Sequence, residues 1–202
     1  MSIPRVEFSV PEAQFELFFP LLRQGVTVLA RDGQAVQELL SRDLGLSQET
    51  IQSRVQTVFV NGHPVDDLLT TTLEEGAVLS LSAAMPGLLG ACMRVDSPYA
   101  RMRDSISQSQ SAQEKGRAET ATIGVTLRLF NFMAKEIGPC VLSRGVVVEP
   151  ERVLELVGRA TENGLWEAGL SMTVDGQSMN PAHDPLAARF ASWKRVFVQV
   201  RS

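Results

Sequence analysis

Four side chains of nucleophilic or metal-binding type are scattered through the chain: Cys92, Cys140, His63 and His183. A reactive thiolate needs a neighbouring base, and a zinc site needs cysteine and histidine ligands at short, characteristic spacings. None of the four lies in such a motif, and the two cysteines do not form a CxxC pair. We therefore predict structural thiols, no catalytic residues, no metal site and no cofactor.

Two carboxylate pairs, Asp66-Asp67 and Glu74-Glu75, could act as acid and base only if a pocket enclosed them and shifted their pKa values. Both pairs lie next to turn signals, which favours solvent-exposed turns over a catalytic site. The chain also contains no Walker A, GxGxxG or GxSxG sequence. The motifs therefore indicate no nucleotide site and no hydrolase triad.

An apolar segment with interspersed glycines is the candidate for partner binding. Its proposed contact residues are Pro86, Gly87, Leu88, Leu89, Gly90, Cys92 and Met93. Glycines would allow a partner to approach the backbone closely, and the leucines and methionine would act as anchors. The alternative interpretation is a turn that packs between two domains.

Composition excludes several classes of partner. The chain has 202 residues and a net charge of −4, so it offers no basic surface for nucleic acid. No apolar run reaches the roughly 18 residues of a membrane span, and the first residues do not resemble a signal peptide. Widely separated cysteines are typical of a reducing compartment. We expect a cytoplasmic protein with no nucleic-acid or membrane partner.

The elements that must position these residues occur twice, in one order: a β-branched strand, a helix, a strand ending in a hairpin turn, and a closing strand. The first set comprises residues 26–29, a helix from about Gln34, residues 58–62 and residues 78–81. The second set comprises residues 146–148, a helix from about Pro150, residues 172–176 and residues 196–200. Asn61-Gly62 and Asp175-Gly176 favour tight hairpins with positive φ. Residues 15–19 are predicted to form a further strand that ends at Pro20. The pattern indicates a duplicated unit.

This duplication predicts an α+β fold in three parts. The first domain covers residues 1–85, and the second covers residues 122–202. Residues 86–121 connect them, with an apolar, glycine-containing start and a Ser/Gln-rich part that is typical of a mobile linker.

Three segments resemble the ubiquitin-like sulfur carriers of the MoaD/ThiS-like group, which serve molybdopterin and thiamine synthesis. Residues 59–67 (FVNGHPVDD) and 72–79 (TLEEGAVL) resemble the hairpin and final turn of these carriers. Residues 129–138 (LFNFMAKEIG) resemble their start. The resemblance implies two tandem, degenerate β-grasp domains, each a mixed sheet packed on one main helix.

The carriers work through a C-terminal Gly-Gly that is adenylated and converted to a thiocarboxylate. Here the second unit ends in Val200-Arg201-Ser202, and the glycines after the first unit are separated and internal. The resemblance therefore implies a non-catalytic protein- or ligand-binding adaptor. One alternative is a sulfur-carrier precursor processed after Gly87 or Gly90, with an adenylating or sulfur-transfer enzyme as its partner. Another is an enzyme with a cleft between its domains.

Overall fold

The computed structural model describes residues 3–84, 87–95, 98, 121–181 and 184–201, with only the backbone described for Leu88 and Leu89. Within these residues ten strands form one mixed sheet: β1 (Arg5–Ser9), β2 (Val26–Arg31), β3 (Thr57–Val60), β4 (His63–Pro64), β5 (Val78–Ser82), β6 (Thr122–Leu129), β7 (Val146–Val148), β8 (Ser171–Val174), β9 (Gln177–Met179) and β10 (Val196–Arg201). The predicted α+β class is confirmed.

The α-helices connect these strands: α1 (Phe19–Gln24), α2 (Val36–Glu38), α3 (Gln48–Arg54), α4 (Gly87–Met93), α5 (Met133–Glu136), α6 (Gly138–Arg144), α7 (Pro150–Glu162) and α8 (Leu186–Phe190). A 3₁₀ helix, Glu12–Phe18, leads into α1, and a π-helix, Leu39–Asp43, continues α2. The helix predicted from Pro150 is confirmed, with proline in its first turn, where a missing N–H is tolerated.

The sheet order is β4-β3-β5-β6-β2-β7-β10-β1-β8-β9. In the half from β2 to β4, successive pairs are antiparallel, parallel, antiparallel and antiparallel. The half from β7 to β9 repeats that series. The halves meet where Thr27 of β2 pairs with Val147 of β7. Each half of the sheet thus has the same pairing pattern.

The two halves of the sheet exchange one strand each. β6 lies between β2 and β5, among strands from the first 85 residues, and β1 lies between β10 and β8, among strands from the C-terminal part. The halves of the chain are therefore interleaved in one sheet.

One face of the sheet is buried along its length. In β2, Val26, Val28 and Ala30 are buried, whereas Leu29 between them is 53% exposed. This alternation follows from the two-residue period of a strand. Helical side chains such as Leu22 and Leu142 belong to the same hydrophobic cluster as the buried strand residues, so the helices cover that face.

Polar contacts also join the two halves. The guanidinium of Arg152 in α7 donates to the carbonyl of Gly25, at the end of α1, and to Oε1 of Gln24 at 2.9 and 3.2 Å. The thiol of Cys140 donates to the carbonyl oxygen of Leu44, with Sγ and O 2.9 Å apart. These bonds satisfy carbonyl groups at the ends of helical segments, which otherwise lack partners within the helix.

The strand predicted for residues 15–19 is wrong. The segment is helical because its aromatic side chains pack on one another and on the core: the ring of Phe18 lies 5.7 Å from Phe15 and 5.4 Å from Phe8 of β1. Pro20 falls at the start of α1, where its fixed φ suits a helix. Tertiary packing has overridden the local preference of an aromatic-rich run for a strand.

Both predicted hairpin turns are confirmed. Asn61 and Gly62 have φ of 53° and 82°, and Asp175 and Gly176 have φ of 49° and 79°. The side-chain Oδ1 of Asn61 also accepts a bond from the N–H of Val78 at 2.9 Å, which fixes this turn against β5.

Candidate binding groove

A groove of about 740 Å³ lies along α3. Ile51 of α3 and Val55, which follows α3, are buried apolar side chains at the base of the groove. The remaining lining residues are Gln37, Gln48, Gln52, Gln56, Asp66, Asp67, Leu68, Leu69, Arg94 and Val95. The lining thus combines apolar side chains with four carboxamides and three charges.

The α3 wall is set by its N-cap. Ser47 has extended backbone geometry, and its Oγ accepts a bond from the N–H of Thr50 at 3.1 Å. This cap satisfies a donor that the first turn cannot pair internally. Ile51 turns inward to the core, and Gln48 and Gln52, which flank it on the helix surface, are exposed at the groove.

The opposite wall is the turn that begins at Asp67. Its Oδ1 accepts bonds from the N–H groups of Leu69 at 2.8 Å and Thr70 at 3.2 Å. A side-chain hydrogen bond from Thr70, followed by the backbone bond from Leu69, lowers the pKa of the Asp67 carboxyl. The turn holds Leu69 outward, with 72% of its surface exposed. A fixed, exposed leucine is the most accessible apolar side chain of the groove.

Backbone hydrogen bonds hold the two walls in place. The N–H of Gln37 donates to the carbonyl of Leu68 at 2.9 Å, and its Nε2 donates to Oε1 of Gln48 at 2.7 Å. At the other end the N–H of Val95 donates to the carbonyl of Gln56 at 2.9 Å. The groove is therefore formed before any partner arrives.

The charged side chains of the lining do not suit acid–base catalysis. A lowered pKa makes the Asp67 carboxylate a weaker base at neutral pH, and enzymes usually raise the pKa of such a group. The described lining contains no cysteine, histidine, serine or lysine. The arrangement can form hydrogen bonds and ion pairs and bury apolar surface.

The segment predicted to bind partners adjoins this groove. It forms α4, in which Gly90 and Cys92 are buried, Met93 is half-buried and Gly87 is exposed with φ of 81°. Arg94 and Val95, which follow α4 directly, line the groove. Pro86 and the side chains of Leu88 and Leu89 lie outside the described residues.

The structure does not bring the other reactive side chains together. Cys92 is buried after β5, Cys140 bonds to Leu44, and His63 is exposed in β4. His183 lies outside the described residues, as does the Ser/Gln-rich part of residues 105–116. Over residues 3–84, 87–95, 98, 121–181 and 184–201, no three Cys, His, Asp or Glu side chains are placed to hold a metal ion.

Sequence reasoning did not single out Gln48, Gln52, Gln56 or Leu69. The one available signal was spacing, because glutamines four residues apart lie on the same side of a helix. That signal identifies a polar helix face and leaves open whether a second wall stands opposite it.

No protein-family model, no curated protein and no solved structure matches the chain. Within the part of the chain that the structure describes, no helix has the length and apolar character needed to cross a membrane.

Proposed function

We propose that this protein is a non-catalytic binding protein and that its partner docks in the groove along α3. The observation that carries the proposal is a preformed groove of about 740 Å³, within the range of about 300–1,000 Å³ that is usual for binding sites. Its apolar side chains supply contact area, and its carboxamides supply orientation. Leu69 is already exposed, so a partner can contact it without any rearrangement.

We also propose that each half of the sheet is a degenerate β-grasp unit of the sulfur-carrier type, with one strand exchanged. The repeated pairing series of the two halves supports this proposal. In this arrangement α4 occupies the place where a carrier would present its tail. We propose that Pro86, Gly87, Leu88, Leu89, Gly90, Cys92 and Met93 contribute to docking chiefly by positioning Arg94 and Val95 at the groove.

The carrier-precursor alternative has less support. A threading tail needs an extended, accessible backbone, whereas Gly90 is buried within α4 and the exposed Gly87 leads directly into that helix. An intact-mass spectrum of the native protein tests this alternative, because processing after either glycine would give a shortened chain. The alternative of an enzyme with an interdomain cleft finds no support in the groove, whose ionisable side chains are two aspartates and one arginine.

The test of the docking proposal compares two aspartate substitutions at exposed leucines. Leu69→Asp changes the groove, and Leu29→Asp, the matched control, changes an exposed leucine on the sheet face that the helices leave open. Mass spectrometry identifies the proteins that bind to the wild type and to the control but do not bind to the Leu69→Asp variant. Each is then purified and titrated calorimetrically against all three proteins.

We expect at least a tenfold loss of affinity for Leu69→Asp alone, since an aspartate placed in a contact desolvates its charge. Protection from hydrogen exchange in residues 48–56 and 66–69 on complex formation would locate the contact. Equal affinity of Leu69→Asp and wild type for every purified partner would reject the groove as the docking site.

A further inference from the structure

We infer that the groove takes an extended peptide segment of its partner, bound through main-chain amides and carrying a lysine or arginine beside Asp67. This inference rests on the proposed function and specifies the chemistry of the partner. It follows from the spacing and hydrogen-bonding capacity of the carboxamides, from the apolar side chains beside them and from the charge of the lining.

The carboxamide spacing matches an extended chain. Gln48 and Gln52 are four residues apart on α3, which places them about 6 Å apart along the helix axis. Two residues of an extended peptide span about 6.6–6.8 Å. Gln48 and Gln52 can therefore meet main-chain groups of every second peptide residue, and Gln56, beyond the end of the helix, lines the same groove.

Carboxamides suit main-chain groups because each carries both a donor and an acceptor. A peptide bond presents one N–H and one C=O, and a glutamine side chain can pair with either or both. The bond from Gln37 to Gln48 leaves the NH₂ of Gln48 and the oxygen of Gln37 with hydrogen-bonding capacity. The Nε2 of Gln56 donates to the carbonyl of Ser53 at 3.2 Å, which holds this side chain against α3.

A helical partner fits this lining less well. The main-chain groups of a helix are already paired internally, so the carboxamides would lose water without gaining partners, at a cost for each unpaired group. An extended peptide has unpaired main-chain groups to offer. Its side chains also alternate, so that every second one can point toward the half-buried Leu68 and Val95 and the exposed Leu69.

The charge of the lining favours a basic peptide residue. In the described lining, Asp66 and Asp67 contribute two carboxylates and Arg94 one guanidinium, a formal net charge of −1. The hydrogen bonds to Asp67 lower the pKa of its carboxyl and so favour the ionised form. A phosphate-rich ligand would be repelled by the same carboxylates.

The experiment uses a bead-bound library of random octapeptides, acetylated and amidated at their ends, and the full-length protein. Beads bound by the wild type and by Leu29→Asp, but not by Leu69→Asp, are sequenced. Selected peptides are resynthesised with a fluorophore and titrated by fluorescence polarisation. We expect them to share a lysine or arginine at a constant distance from apolar residues that recur at every second position.

Two measurements then identify the mode of binding. N-methylation of each peptide amide in turn should weaken binding about fivefold to tenfold at alternate positions, because the loss of one hydrogen bond has about that effect. Asp67→Asn, which keeps an acceptor oxygen for Leu69 and Thr70 but removes the charge, should weaken the basic peptides by about twofold to fivefold and leave their norleucine analogues unchanged.

The outcomes separate this inference from the proposed function. Selected peptides that bind as helices, or that tolerate N-methylation everywhere, would overturn the peptide mode. The same conclusion follows if no octapeptide depends on Leu69 while a purified protein partner still does. If Leu69→Asp affects neither peptides nor protein partners, both the inference and the groove proposal fail.

Discussion

The carboxylate of Glu75 accepts a hydrogen bond from the backbone N–H of Gly124, with Oε2 and N 2.7 Å apart. Alongside it, the N–H of Gly76 donates to the carbonyl of Gly124 at 2.9 Å. The ladder between β5 and β6 begins only at the pair Val78 and Thr126. The side chain of Glu75 therefore forms a hydrogen bond with β6 just before the backbone ladder between β5 and β6 begins.

Replacing Glu75 tests this contact. Glu75→Ala removes the acceptor that pairs with Gly124 of the exchanged strand β6. It should lower the free energy of unfolding by about 1 kcal/mol. Glu75→Gln keeps an acceptor oxygen and should lose less than half of that. Urea unfolding followed by circular dichroism measures both. Equal losses for the two variants would show that the negative charge matters more than the bond.

The two glycines Gly62 and Gly158 should respond in opposite directions to the same substitution. At either position the Cβ of an alanine would have no surrounding group within 4 Å. The backbones differ, however, because Gly62 has φ of 82° and Gly158 lies inside α7. Gly62→Ala should destabilise by about 1 kcal/mol because alanine is strained at positive φ. Gly158→Ala should stabilise by about 0.5–1 kcal/mol because alanine favours a helix. Thermal melts check both signs, and a Tm that rises for Gly62→Ala would contradict the turn geometry.

The turn at Asp67 predicts a local pH dependence. The folded-state pKa lies below the ordinary 3.8, so the ionised form is stabilised by folding. Its contribution is complete above pH 3.8 and is lost as the pH falls through the lowered value. A carboxyl NMR titration should give a midpoint below 3.8, with the amide shifts of Leu69 and Thr70 following the same transition. A midpoint at or above 3.8 would mean that these hydrogen bonds do not form in solution.

Fragments divided within the connection should fold only together. The fragment 1–98 lacks the strand between β2 and β5, and the fragment 121–202 lacks the strand between β8 and β10. Each alone would leave unpaired strand edges and a partly exposed core. We expect weak circular dichroism from each fragment and a 1:1 complex with a cooperative melt after mixing. A cooperative melt of either fragment alone would show that the strand exchange is dispensable.

Local chemistry explains which parts of the fold could be predicted. The hairpins at Asn61-Gly62 and Asp175-Gly176 depend on two residues each, and the helix from Pro150 depends on an apolar period within one segment. Strand order depends on contacts between distant segments, so nothing local distinguishes β6 beside β2 from any other neighbour of β2. The helical form of residues 15–19 is not predictable from the run itself for a related reason, since packing between Phe18 and Phe8 stabilises it.

The groove was beyond prediction because its walls come from separate parts of the chain. Gln52 looks like an ordinary exposed helix residue until the turn at Asp67 and the residue Val95 are placed opposite it. The segment from Pro86 to Met93 was recognised as unusual from its glycines and apolar residues. The helix of residues 87–93 leads to Val95, whose N–H donates to the carbonyl of Gln56, and that contact depends on where the fold places Gln56.

The exchange of β1 has a consequence for how this protein is made. β1 is synthesised before both of its partners, β8 and β10, which come from a distant part of the chain. Arg5 pairs with Phe197, so β1 cannot be covered until β10 has been synthesised. Such distant pairing is expected to slow folding and to leave a nascent chain prone to aggregation. Synthesis of the full chain should therefore depend on chaperones more than its size suggests.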